Sequence, residues 1–109
     1  MSKTLVKNLR AVRKLLSTEA RWTKDVLARD KLGREVESDA PAACRWCLSG
    51  AVERVVKRQS EQHEALDAIR DALPASFAGE DVENFNDANA TTHSRTLAVI
   101  DRAIKAAAK

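Results

Sequence analysis

Asn84-Phe85-Asn86-Asp87, followed by Thr91-Thr92-His93, gathers amide, carboxylate, hydroxyl and imidazole groups into residues 84–93. The segment ends where a helix is expected to begin. A helix N-terminus offers unpaired backbone N–H groups and a positive dipole, so this set suits an anion such as phosphate. The same residues have a local use. Asn86 and Asp87 can fix a turn, and Thr91 or Thr92 can cap the helix. Two tryptophans stand beside cations: Trp22 near Arg21 and Lys24, and Trp46 next to Arg45. Such corners can stack on a base and hold phosphate, although a tryptophan in a small domain is commonly a core residue.

Cys44-Arg45-Trp46-Cys47 has a redox-like or zinc-like spacing. A thioredoxin-like site needs a strand–helix context that is not expected here. A structural zinc site needs four ligands, and the chain has two cysteines and two distant histidines. Cysteines three apart on an apolar helical stripe read as small core hydrophobes. A nucleophilic Cys47–His93 pair would have to meet beside an oxyanion site, and nothing in the sequence brings them together. No metal, cofactor or catalytic residue is assigned, and the chain reads as a non-enzyme.

The elements that must position these groups follow from apolar spacing. Asp39 to Val56 reads as a central helix, capped by Ser38 or Asp39, with Pro41 in the first turn. Cys44, Cys47, Leu48, Ala51 and Val55 make its stripe. Gly50 inside it costs about 1 kcal/mol relative to alanine, which points to close approach of another backbone or a ligand. Leu5, Leu9, Val12 and Leu16 predict a first helix from about Lys3 to Ser17, with Lys3, Lys7, Arg10, Arg13 and Lys14 on another face. Val26 to Val36 reads as a small hairpin turning at Gly33. A third helix is expected from Ser60 to Leu73, ahead of Pro74. Ala75 to Ala90 reads as a long polar loop pinned by Phe77, Val82 and Phe85, with room for a helical turn at Asp81 to Asn84. The last helix starts near Thr91-Thr92, and Leu97, Ile100, Ala103 and Ile104 form its buried stripe. The expected fold is mostly α: one compact four-helix domain over residues 1–109, with one small β-hairpin between helices 1 and 2.

The chain has 109 residues and a net charge of +3, and that figure hides an asymmetry. Residues 1–34 carry ten Lys/Arg against three Asp/Glu, while residues 35–109 carry nine against thirteen. A basic N-terminal third suggests either an anionic partner or neutralisation within the fold. No apolar run approaches the roughly 20 residues of a membrane span. The N-terminus leads into an amphipathic helix and not into a signal segment. A soluble cytoplasmic protein with reduced thiols is expected, without membrane association.

Trp22, the Asp30…Gly33 turn, Pro41-Ala42-Ala43, Trp46-Cys47-x-x-Gly50-Ala51 and Asn86-Asp87…Thr92, then Leu97…Ile100-Asp101-Arg102-Ala103-Ile104, occur in this order. The set resembles a small bacterial and phage family, a domain of unknown function, with W-x-x-G, D-x-x-G, W-C-x-x-G-A and W-N-D…T patterns. The resemblance covers about residues 12–104. Asp25 stands where that pattern has glycine, and Phe85 where it has tryptophan. The resemblance implies a setting in bacteria or phage-infected host cells and supports the fold more than a function, since the family name carries no activity; a phage setting would fit a role in sequestering a host signal.

Taken together, the residues predict non-enzymatic binding of a small anionic, nucleotide-like ligand. Trp22, Lys24, Arg45 and Trp46 would supply the basic-aromatic side, and Asn86, Asp87, Thr92 and His93 the polar side. The alternative is a protein-interaction module or inhibitor that meets a host protein through its basic first helix. A nucleic-acid binder is a third option, weakened because no aromatics interleave with the charges. A small α domain often completes its core by dimerising, so a homodimer is a further expectation.

Overall fold

One close crossing brings the backbone of Leu27 against Gly50. A Cβ at Gly50 would lie 1.9 Å from the Leu27 carbonyl oxygen. That oxygen accepts from the backbone N–H of Cys47 at 3.2 Å, which holds it in place. A computed structural model describes residues 3–109. In chain order it contains α1 (Lys3–Leu15), β1 (Ala28–Arg29), β2 (Glu35–Val36), β3 (Arg45–Trp46), α2 (Leu48–Val55), α3 (Gln59–Asp71), α4 (Val82–Asp87) and α5 (His93–Ala107).

The helices form the body of the molecule. Leu9, Val12 and Leu16 are fully buried, so the stripe read from their spacing is the face that α1 turns to the core. It packs on α2 and α5. Ile69 from α3, Phe85 from α4, and Val99 and Ile100 from α5 complete the buried cluster around Leu48, Ala51 and Val52. No helix among the described residues is long and apolar enough to cross a membrane.

Two expectations are corrected here. Five α-helices are present among the described residues, not four, because Val82–Asp87 forms a short helix within the expected loop. Val82 and Phe85, one turn apart, bury the same face. The expected central helix begins only at Leu48. Its first part turns at Ala40 and Ala43 and then pairs as β3, so a three-stranded antiparallel sheet in the order β2-β1-β3 replaces the isolated hairpin. Ala28 pairs with both Val36 and Trp46. The reason is Trp46. Its backbone serves as strand partner to Ala28, and its buried indole Nε1 donates to the Ser38 carbonyl at 2.9 Å. The guanidinium of Arg54 lies 5.3 Å from its ring and bonds the Ala40 carbonyl at 2.9 Å.

The cap of α3 is at Arg58 and not at Ser60. Thr92 caps α5, accepting from Arg95 N–H at 3.2 Å. The hairpin turn is closed by Asp30. Its carboxylate accepts from the N–H groups of Leu32 and Arg34 at 2.9 and 3.0 Å, and from Arg34 Nε at 2.9 Å. Burial pushes this carboxyl up, but the bonds from Arg34 and Leu32 prevail and hold it below its ordinary value. Gly33, at φ 83°, completes the turn.

Replacing Gly50 by alanine forces Leu27 away from the N-terminal turn of α2. Because the obstacle is backbone, G50A is expected to destabilise by about 2 kcal/mol or more, net of alanine's better helix propensity. G79A meets nothing within 4 Å and carries only the strain of its φ of 81°, roughly 1–2 kcal/mol. Urea unfolding of the two variants measures the difference, and equal losses would contradict the crossing.

Candidate functional site

The polar residues of α4 and the Trp22 corner meet at one place. Asn86 is fully buried. Its Oδ1 accepts from the indole Nε1 of Trp22 at 2.8 Å and from the backbone N–H of Leu48 at 3.1 Å. Its Nδ2 donates to the Thr23 carbonyl at 3.1 Å and to Asp87 Oδ1 at 2.9 Å. A carboxamide has two acceptor positions and two donors, so every valence of this side chain is filled. Asp87 Oδ1 also accepts from Asp25 N–H at 2.9 Å.

Each element brings its part for a local reason. α4 places Asn86 one residue beyond the buried Phe85, facing the start of α2. α2 exposes its first N–H groups there, and two are taken up from outside the helix: Leu48 by Asn86, and Gly50 by the Cys47 thiol at 3.3 Å. The 3-10 turn Glu19–Arg21 delivers Trp22, and Thr23 N–H then bonds the Trp46 carbonyl at 3.1 Å, beside β3. Asp25 has φ 75°, the left-handed region that glycine favours.

Five of the eight predicted residues come together here. Besides Trp22, Asn86 and Asp87 they are Lys24 and His93. Lys24 Nζ donates to the Ala88 carbonyl at 2.6 Å and lies 5.5 Å from the Trp22 ring centroid. The His93 ring sits 6.1 Å from the same tryptophan, and Nε2 donates to the Leu16 carbonyl at 2.6 Å. A carbonyl can only accept, so Nε2 carries the proton. Thr92 is occupied as the cap of α5, and Trp46 is occupied with Ser38. Arg45 is exposed on β3 and has no polar partner among the described residues. The cluster is therefore a knot of internal bonds, with each polar group already held by another part of the chain. Arg29, absent from the sequence reading, belongs to it. Its guanidinium bonds Thr23 Oγ1, the Gly33 carbonyl and the Lys24 carbonyl at 2.9, 3.0 and 3.2 Å.

The cysteine pair does lie at a strand–helix junction, contrary to expectation. The junction does not activate Cys47. Burial pushes its thiol up to about 11, against the lowering effect of the Gly50 and Ser49 N–H groups, with Asp87 and Glu83 adding a smaller push upward. Cys44 is half-buried, and neither cysteine is in a disulfide.

A different feature keeps donors open to solvent. Phe77, Phe85 and Val99 floor a cleft of about 250 Å³ between the Pro74–Phe77 segment and α5, with Arg95 and Arg102 on its walls. Phe77 meets Phe85 edge-on at 5.2 Å. Arg95 gives Nη1 to the Ala90 carbonyl, and Arg102 gives Nε and Nη2 to the Ala72 carbonyl. Each guanidinium thus keeps N–H groups for another acceptor. The sequence reading did not single out these arginines. The only signal was their seven-residue separation, two turns of one helix face.

The chain belongs to DUF6197, a family of unknown function whose pattern matches residues 1–106. No curated protein and no solved structure matches it.

Asn86→Leu removes four bonds and leaves Trp22 Nε1, Leu48 N–H and the Thr23 carbonyl without partners. A loss of roughly 3 kcal/mol or more is expected from denaturant unfolding. Trp22→Phe should cost about 1 kcal/mol alone, and far less on the Asn86→Leu background. Equal losses on the two backgrounds would contradict the shared bond. Asp25→Gly should raise stability by about 0.5–1 kcal/mol by relieving the left-handed backbone. Cys47 should resist alkylation at pH 8 in the folded protein and react only as the chain unfolds. Rapid modification of Cys47 in the native state would show an accessible thiolate.

Proposed function

We propose that the protein binds a small anionic ligand with a flat apolar portion, of nucleotide-like chemistry, and that it does so without transforming it. The observation that supports this reading is the arginine-walled cleft over Phe77 and Phe85. The half-buried Phe77 ring, with Phe85 buried behind it, can meet a base or another ring, and two guanidiniums with unused donors suit a phosphate or carboxylate. The cleft, at about 250 Å³, lies just below the usual size of ligand pockets, so it favours a mononucleotide or smaller anion over a dinucleotide. The Trp22–Asn86 cluster then acts as the frame of the site. Through Phe85 and Asn86, adjacent on α4, it sets where the aromatic floor stands.

A second reading is favoured by α1. Lys3, Lys7, Arg10 and Lys14 are exposed and make no ion pair among the described residues, whereas Arg13 is drawn to Asp101 on α5 at 2.8 Å. That row of free cations suits an acidic protein surface. Nucleic acid would use the same row, with affinity falling steeply as salt rises.

A thermal-shift series with mononucleotides and small aromatic phosphates separates these readings. A ligand at a hundred times its dissociation constant should stabilise the fold by about 2.7 kcal/mol, a rise of roughly ten degrees for this length. Arg95→Ala with Arg102→Ala should abolish the shift while leaving the unliganded melting temperature within a few degrees. A shift that survives the double substitution, or no shift with any anion, would remove the cleft as the site. Charge reversal at Lys7, Arg10 and Lys14 should leave the shift intact.

A further inference from the structure

We infer that the β1–β2 turn of one copy of this chain docks into a hollow between α3 and α4 of a second copy. Leu32 is the exposed large hydrophobic side chain among the described residues, with 69% of its surface open. A leucine on a loose loop would mean little. This one is displayed on a turn tied by the Asp30 carboxylate, by the Gly33 N–H to Asp30 carbonyl bond at 3.0 Å, and by Arg29 on the Gly33 carbonyl. A pre-ordered anchor loses little freedom on docking. Lys31 and Arg34 are exposed on either side of it. Arg34 uses only Nε on Asp30, so the rest of its guanidinium faces outward with donors to spare.

The same chain carries a matching receptor. Leu66 of α3 and Val82 of α4 line a hollow of about 210 Å³, with Asp67, Asp81 and Glu83 around it and His63 and Arg70 on its α3 side. Asp67 shares its charge with Arg70 at 3.0 Å, while Asp81 and Glu83 have no ion-pair partner among the described residues. The tip offers an isobutyl group beside Lys31, which has no ion-pair partner among the described residues, and Arg34, which shares its charge with Asp30; the hollow offers an apolar floor beside the two unpaired carboxylates of Asp81 and Glu83. Polarity and sign of charge correspond, which is the pattern of a specific contact. Tip and hollow are different surfaces, so the contact forms either reciprocally across a two-fold axis or head to tail. Both arrangements require both surfaces. The proposal does not depend on the ligand reading, because neither surface includes the arginine-walled cleft.

The contact is small, so association should be weak, with a dissociation constant in the range of about 10 µM to 1 mM. Sedimentation velocity over that concentration range tests it, with three proteins of similar melting temperature. The first is the natural chain, which should self-associate and do so less in high salt. The second is Leu32→Asp, and the third is Asp81→Asn with Glu83→Gln, which removes both charges and keeps a good capping residue at the start of α4. All three positions are exposed, and asparagine suits the cap of α4, so the melting temperatures should stay within a few degrees of the natural chain. Each variant alone should associate at least about tenfold more weakly. Mixed, the two should recover association, because the third protein keeps a good tip and the second a good hollow. A natural chain that stays monomeric throughout would overturn the proposal. So would a Leu32→Asp variant that associates as before, or a mixture that stays monomeric while the natural chain does not.

Discussion

The structure depends on a single buried carboxamide. Asn86 sits where three pieces of chain that are far apart in sequence must meet: the Trp22–Thr23 corner, the N-terminus of α2, and α4 itself. Each brings a backbone or indole group that would be costly to bury unpaired. Only a side chain with two acceptor positions and two donors answers all of them at once. An aspartate would set a charge against the Thr23 carbonyl. A glutamine would need room for one more methylene in a close-packed place. The Asp87 carboxylate extends the knot to the left-handed Asp25 backbone, and Lys24 and Arg29 tie the same loop to neighbouring carbonyls. The small sheet, too short to stand alone, is thereby fastened to the helices.

This arrangement gives the resembled patterns a structural meaning. Asp30 and Gly33 close a turn. Trp46 and Cys47 end a strand and cap a helix, and Gly50 makes room for Leu27. Asn86 and Asp87 receive Trp22 and the Asp25 backbone. Residues that look chemically capable in the sequence are engaged with one another. Groups able to meet an outside partner are found elsewhere: on the arginine-walled cleft, on the free face of α1, and on the tip and hollow of the sheet and helices.

The long helices were legible because their spacing repeats often enough to be seen. Leu9 and Val12 on α1, Leu16 just past its end, and Ile100 and Ala103 on α5 are buried as their steps require. Thr92 was one of two caps foreseen, and the close approach at Gly50 was readable from the cost of a glycine there. The third strand was not legible. Two residues are too few for an alternating pattern, and Cys44, Cys47 and Leu48 happen to keep helical spacing across it. α4 was seen only as a turn, since six residues cannot display a period. The bonds of Asn86 to Trp22, Thr23 and Leu48 were not legible because those partners lie in other parts of the chain. A local reading sees a polar residue in a polar loop and sends it outward, while the fold turns it in.

The most direct measurement of this account is hydrogen exchange at the indole Nε1–H of Trp22, followed by NMR beside that of the buried Trp46. The Trp22 ring is only half-buried, so a merely packed or ligand-facing indole would exchange by small local openings. If Asn86 is the joint that holds the structure together, the Trp22 proton exchanges only as the core does, with an opening free energy close to that of the Leu48 amide it shares an acceptor with. Exchange of that proton at the rate of a solvent-exposed indole, with Leu48 still protected, would contradict the account.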